Sequence, residues 1–462
     1  MTVIARGRAV LVAVVALGAT TLAAPPARAH GPRDEPSEDK PSRPVDPTRG
    51  EEEWYSVHFQ STIATQAHPA FNAKYSGQNS LGAEAEAATA FVSTLYGDLR
   101  LWKGAELLVN PEISGGKGLS RTLGVAAFPS GIVYRVGDPA PSVYLARLAI
   151  SQTFELGGGR VTNAAGANEL AGTRDRDQLA ITVGRLSVTD VFDGNRYAHD
   201  PTERFFNWAL FASGAWDYPA DTKGYTYGVL ADLAVDWWSL RAGIAMEPLY
   251  ANLAKFDTHI DRAHGLMAEY ETRYKLGHLE GATSALVFLN QARMGSYELV
   301  NENRGLYGNN VAATRTEGRT KYGFALSMEQ QVTRSTGLFL RLSANDGRNE
   351  SWAFTEIDRS LAIGAVQNGA LWGRDKDEMG AAVVVNGLSG PHRRYLEGGG
   401  YGFIIGDGKL AYAPEVVSDV YYKLNVVDHV SFSGVYQPIV NPAYNQDRGP
   451  VHVFTGRLHV AF

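Results

Sequence analysis

From residue 54 onward, apolar and polar positions alternate with a period of two, in runs of roughly 10–14 residues. In GLFLRLSAN, Leu338, Leu340 and Leu342 share one face, and Phe339, Arg341 and Ser343 share the other. In SVYLARLAISQTFEL, Tyr144, Leu148, Ile150, Phe154 and Leu156 oppose Arg147, Ser151 and Thr153. HGLMAEYETRYKLG sets Leu266, Tyr270, Tyr274 and Leu276 against Glu269, Glu271, Arg273 and Lys275. The strands of a β-sandwich alternate too, but commonly run to about five or six residues. Longer strands with one apolar and one charged face fit a barrel in lipid around a wet lumen. No stretch after residue 54 offers the roughly 18 consecutive apolar residues of a spanning helix.

Sixteen such runs lie near 54–65, 89–101, 105–111, 142–156, 178–188, 224–235, 237–247, 264–276, 279–293, 319–333, 337–346, 358–367, 377–387, 410–424, 428–440 and 451–462. The pattern predicts an all-β fold: a transmembrane antiparallel β-barrel of about sixteen strands, with long external loops, one or more folded inward. RFFNWALF at 204–211 is set aside as a short helix in a loop. Asp200-Pro201-Thr202-Glu203 before it supplies an N-cap, a proline at the first position and an acid at the third. The faces of 178–188 and 279–293 are mixed, so their register is open by one residue.

The connections test the barrel independently. After even-numbered strands they are short: 102–104, 236, 277–278, 334–336 and 425–427. After odd-numbered strands they include 66–88, 112–141, 189–223 and 294–318. Residues 157–177 break the rule and 368–376 bend it. Barrels of the outer membrane sort their loops in this way. Trp54, Trp102, Trp237 and Trp238 fall at the short-turn end, where an aromatic girdle belongs. The chain ends in mid-strand at VHVFTGRLHVAF. Phe454, Leu458, Val460 and Phe462 point to lipid, and Thr455, Arg457 and His459 to the lumen. This last strand should close on the first, because an open sheet edge in lipid leaves backbone groups unsatisfied.

The N-terminus sets the compartment. Residues 1–29 carry Arg6 and Arg8, an apolar run and Ala27-Arg28-Ala29, the parts of a cleaved secretory signal peptide. Residues 30–53 are charged and Pro-rich, with too little apolar content to bury a core, and read as a flexible periplasmic segment. The transmembrane barrel domain is 54–462. Removing 1–29 leaves 40 basic residues against 49 acidic, a net charge of −9, with no basic stripe that would suit nucleic acid. The absence of cysteine excludes disulfides, thiolate metal sites and Cys nucleophiles. No cofactor or metal is expected.

Sixteen strands leave a water-filled lumen. Pro111–Ser142 is the candidate for an inward loop, and 389–409, with Arg393 and Arg394, for a second. Alternation directs Arg100, Glu106, Asn110, Arg147, Arg241, Glu271, Arg273 and Arg341 into the lumen; the loop adds Glu112 and Arg135. Guanidinium and carboxylate groups bond strongly to sugar hydroxyls. A mixed-sign ring suits a neutral solute, whereas rings of one sign suit ions. For each charge the alternative is solvation of the lumen wall.

Five blocks, HFQSTIATQAHPAFNAKYSGQNSL (58–81), LWKGAELLVNPEISGGKGLS (101–120), YRVGDPAPSVYLARL (134–148), ELAGTRDRDQLAITVGRLSVTDVFD (169–193) and YAHDPTERFFNWALFASGAWDYPADTKGYTYG (197–228), resemble the carbohydrate-selective porins of Gram-negative outer membranes, the OprB-like group. The resemblance implies a sixteen-stranded barrel, a homotrimer, passing glucose and related small sugars by facilitated diffusion. Its partners would be outer-membrane lipid and the barrel assembly machinery, which reads a terminal Phe such as Phe462. A general or other-solute porin is the alternative. His58, His68, His199 and His392 are the histidines an enzyme would use. No G-x-S-x-G, H-E-x-x-H or phosphate-loop motif accompanies them, so no enzyme is expected.

Overall fold

The computed structural model describes residues 53–135 and 137–462. The expected signal peptide, residues 1–29, and the following residues up to 52 lie outside the described residues. Sixteen antiparallel strands close into one barrel in which each strand pairs with its sequence neighbours and the last with the first. They are β1 Tyr55–His68, β2 Glu86–Trp102, β3 Ala105–Gly116, β4 Ser142–Asn163, β5 Gly172–Leu186, β6 Thr226–Val235, β7 Trp238–Met246 and β8 His264–Leu276. The second half is β9 Leu279–Ala292, β10 Arg319–Gln331, β11 Thr336–Asn345, β12 Arg359–Asn368, β13 Glu378–Gly387, β14 Glu415–Val427, β15 Val430–Val440 and β16 Val451–Ala461. Every expected strand is present. The closing ladder pairs Thr62 with His459 and Ile63 with Leu458. Inside it the Thr62 hydroxyl lies 2.7 Å from His459 Nδ1.

Burial follows the alternation. Phe454 and Leu458 are exposed on the outer wall, and Thr455, Arg457 and His459 are buried inside. On β8, Leu266, Tyr270 and Leu276 face out while Glu269 and Glu271 are buried. The mixed-face strands have a single register: Gln178 pairs with Ala234, and Leu279 with Leu276. Trp54, Trp102 and Trp237 are exposed at the short-turn rim, and Trp238 stacks on Tyr270.

Two expectations are corrected. Tyr144 was placed outside with Leu148, but Ala146 is an extra residue between the pairs Asn110–Arg147 and Pro111–Leu145. Such a bulge reverses the alternation beyond it, so Tyr144 turns inward and its hydroxyl donates to the Glu112 carboxylate. The short helix starts later than the Asp-Pro-Thr-Glu signal placed it. It spans Trp208–Phe211, with the Asn207 side chain accepting from the Ala209 N–H. Asp200 instead accepts from the Thr202 N–H and hydroxyl, which closes a separate turn.

The core lies inside the barrel, because the outer wall must present its apolar residues to lipid. Two loops fold inward, 117–141 after β3 and 187–225 after β5. Val125, Phe128, Phe192, Phe205, Phe206 and Trp216 on them are wholly buried. Lumen-facing charges of the wall satisfy the backbone of these loops. Glu415 accepts from the N–H groups of Ala126 and Ala127, at 2.9 and 2.8 Å. Asp419 accepts from Phe206 and Asn207, at 2.9 and 3.1 Å. Arg457 donates to the carbonyls of Pro201 and Arg204, each at 2.8 Å. Each such group, left unmatched in a buried loop, would cost about 1–3 kcal/mol.

Candidate functional site

Among the described residues, a cavity of about 560 Å³ lies where the two inward loops meet the wall of β2, β3 and β4. Its polar side is built on Glu112 of β3. Glu112 accepts hydrogen bonds from the hydroxyls of Thr94, at 2.6 Å, Tyr225, at 3.0 Å, and Tyr144. Arg147 of β4 grips Asp190, and its guanidinium carbon lies 5.3 Å from the centre of the Tyr225 ring. Arg185 binds Asp221 at 2.6 Å, and its guanidinium carbon lies 5.8 Å from the centre of the same ring. Tyr225 is therefore contacted by two guanidinium groups, each with its own carboxylate.

Lys223 and Arg135 face the same cavity. The Lys223 ammonium sits 3.5 Å from the Tyr144 ring centre and donates to the Ser142 hydroxyl at 2.7 Å. Burial draws its pKa below the ordinary lysine value, opposed by Glu112 and Asp221. Arg135 donates from Nε to the Phe403 carbonyl at 2.7 Å, which ties the first inward loop to the segment after β13. Burial lowers its pKa too, with Glu356 acting the other way. An aromatic wall lines the same cavity. The ring centres of Tyr218 and Phe354 are 4.4 Å apart, and Trp208 stacks on Phe354 at 5.7 Å. Charged hydrogen-bonding groups and apolar rings thus line one cavity with room for a small sugar, and they match the two kinds of surface a sugar ring presents.

The ten residues expected in the lumen fall into five places. Glu112, Arg135 and Arg147 line the cavity together. Asn110 is buried beside it and donates to the Asn168 side chain at 2.7 Å. Arg100 and Glu106 lie nearer the short-turn end, lining a second space of about 500 Å³. Arg241, Glu271 and Arg273 form a separate network on β7 and β8. In it Arg241 lies 3.3 Å from Asp232 and 3.0 Å from Glu271, and Arg273 lies 2.9 Å from Glu271. Arg341 is 2% exposed and donates to the carbonyls of Leu210 and Asp193, each at 2.9 Å, so it holds the second inward loop.

The pattern did not single out Tyr225, Lys223, Asp190, Trp208, Tyr218 or Phe354. All but Phe354 lie in the blocks 169–193 and 197–228, whose density of Asp, Trp and Tyr was the available signal. The loop 389–409 contains a helix, Gly390–Glu397. There Arg393 pairs with Glu397 at 3.2 Å and lies over the Tyr412 ring.

The family model of the carbohydrate-selective porins, OprB family, matches residues 75–462. Among solved structures, the high-pH structure of Pseudomonas putida OprB is similar with a TM-score of 0.67 at 17% identity, covering 88% of this chain and 94% of that one. The low-pH structure of the same protein matches with a TM-score of 0.48 at 14% identity, over 88% and 93% of the two chains. The outer-membrane channel DcaP of Acinetobacter baumannii matches with a TM-score of 0.48 at 8% identity, over 88% and 97%. No curated protein sequence matches the chain. With the family model spanning most of its length and the closed sixteen-stranded barrel on the page, the chain belongs to the carbohydrate-selective porin family, OprB, of the bacterial outer membrane.

Proposed function

We propose that the 560 Å³ cavity is the place where this sugar-selective porin chooses its solute. Glu112, Arg135 and Arg147 would bond the hydroxyls of a monosaccharide, with Lys223 beside them and the Trp208–Phe354–Tyr218 wall against its C–H face. The observation that carries this reading is the contact of both Arg147 and Glu112 with Tyr225, one over its ring and the other at its hydroxyl, which fixes both groups before a solute arrives. Fixed groups lose little freedom on binding. A channel must also let go, and groups already paired with Asp190 and with three hydroxyls bind an incoming solute only weakly.

Liposome swelling tests it, comparing glucose, a disaccharide and a neutral amino acid of similar size to glucose. Glucose entering much faster than the amino acid supports selection by chemistry. Rates that follow size alone would make it a general porin. The family and fold indicate a channel. An enzymatic role would need a reactive group in this cavity, and His199 is the histidine that lines it. The homotrimer implied by the resemblance is part of the proposal, and the native mass in detergent decides it. Residues 30–53 would form a periplasmic segment ahead of the barrel.

A further inference from the structure

Residues 157–177, the exception to the loop rule, are not a loop. The β4–β5 ladder runs on past the level at which the other short turns end, to the pair Asn163–Gly172. Its register breaks between Glu155 and Arg160, where Gly157, Gly158 and Gly159 take φ values of 95°, 80° and 103°. Only glycine adopts three such values in succession without strain. A Cβ on Gly158 would in addition lie 2.4 Å from the Asp177 carboxyl. The glycines bend the hairpin, and its tip enters the barrel from the periplasmic end.

Three sets of contacts hold the tip there. The Asn168 side chain accepts from Asn110, a wholly buried lumen residue, at 2.7 Å. Leu170 is 2% exposed. Glu53 exchanges two hydrogen bonds with Ala171, at 3.1 and 2.9 Å, and its carbonyl accepts from Arg100 Nε at 3.1 Å. The tip also borders both spaces. Ala167 and Asn168 line the sugar cavity with Glu112 and Arg147, whereas Asn163, Leu170 and Gly172 line the second space with Arg100 and Glu106.

We infer that this hairpin is the floor of the sugar cavity and a second selectivity element below Glu112 and Arg147, with Asn168 the residue a departing solute meets. It sets the size of solute that can pass, while the chemistry of selection stays with the groups above. The inference rests on the cavity lying on the permeation path. It does not depend on which solute the cavity prefers.

Two variants test it. In the first, residues 160–174 are replaced by an Asn-Gly turn, and swelling is measured with glucose, a disaccharide, a trisaccharide and small polyethylene glycols. Entry of the larger solutes and single-channel conductance are expected to rise several-fold. An unchanged size profile would overturn the proposal. Because glycols report size alone, this readout stands even if the sugar preference fails. In the second, Asn168→Cys adds the sole thiol of the chain, so a charged, membrane-impermeant thiol reagent has one target. Modification is expected to lower conductance several-fold. Complete modification by mass with unchanged conductance would remove Asn168 from the path and sink the inference.

Discussion

Arg147 on the barrel wall and Asp190 on the loop folded against it meet edge to edge, with Nε donating at 2.7 Å and Nη2 at 2.5 Å. The pair does two jobs at once. It fastens the second inward loop to β4 and presents one face of a fixed guanidinium to the cavity. Arg147→Ala should therefore lose glucose preference, by about tenfold or more if one charged hydrogen bond of roughly 1.5–3 kcal/mol is removed. Swelling rates for glucose relative to the amino acid check this. Arg147→Lys keeps the charge but not the two-pronged grip, and should recover only part of the loss.

The aromatic wall makes the opposite kind of prediction. Phe354 packs against both Trp208 and Tyr218 and is nearly buried. Phe354→Ala should cost about 3–5 kcal/mol of stability, widen the lumen and raise conductance. It should also narrow the gap between glucose and the amino acid. A wider pore with undiminished preference would show that ring stacking plays no part.

Arg457 tests the anchoring of the loops. It is wholly buried in β16, and its donors satisfy carbonyls of the second inward loop. Arg457→Met leaves those carbonyls unmatched, at about 1–3 kcal/mol each. The expected outcome is a lower Tm in detergent, faster proteolysis within 187–225 and noisier single-channel currents. Proteolysis at the native rate would contradict the anchoring role.

A pH prediction comes from the external loops. Asp358 sits just before β12, and burial by itself would raise its pKa. His392 Nδ1 at 3.0 Å, Lys321 and the Ser389 N–H outweigh burial and hold it down at about 2. An unfolded aspartate titrates near pH 3.9. A depressed carboxylate stabilises fully above that value, and the stabilisation is lost as pH falls through about 2. Pepsin should cut around Gly390–Glu397 faster at pH 2 than at pH 4, and Asp358→Asn should abolish the difference. Equal digestion of the native protein at both values counts against it.

The terminal residue offers a separate test. Phe462 exchanges backbone hydrogen bonds with Phe59, at 3.0 and 2.8 Å, and its ring stacks on His429. Removing it costs one rung of a closed ladder, so refolding in detergent should still succeed. In cells the amount reaching the outer membrane should drop much further, if Phe462 is also the signal for insertion. Equal losses in both settings would leave it a structural role alone.

Alternation by itself determined the barrel. A wall with lipid on one side and water on the other imposes a period of two on every strand, and turn length then separates the two ends. All sixteen strands, the closing of β16 on β1 and the inward course of Arg341, Arg457 and Glu271 were legible for that reason. What the pattern lacked was anything set by contacts between distant segments. The bulge at Ala146 turned Tyr144 inward, and three glycines folded the β4–β5 hairpin into the lumen. Arg147 and Arg341 looked alike in sequence, each an inward arginine on an alternating strand. The tertiary structure separated them, because the loop from β5 buries Arg341 beneath its own backbone yet stops beside Arg147 and leaves it open to the cavity. Local periodicity fixes which way a side chain points, and only the packing of loops from elsewhere in the chain decides whether a solute can reach it.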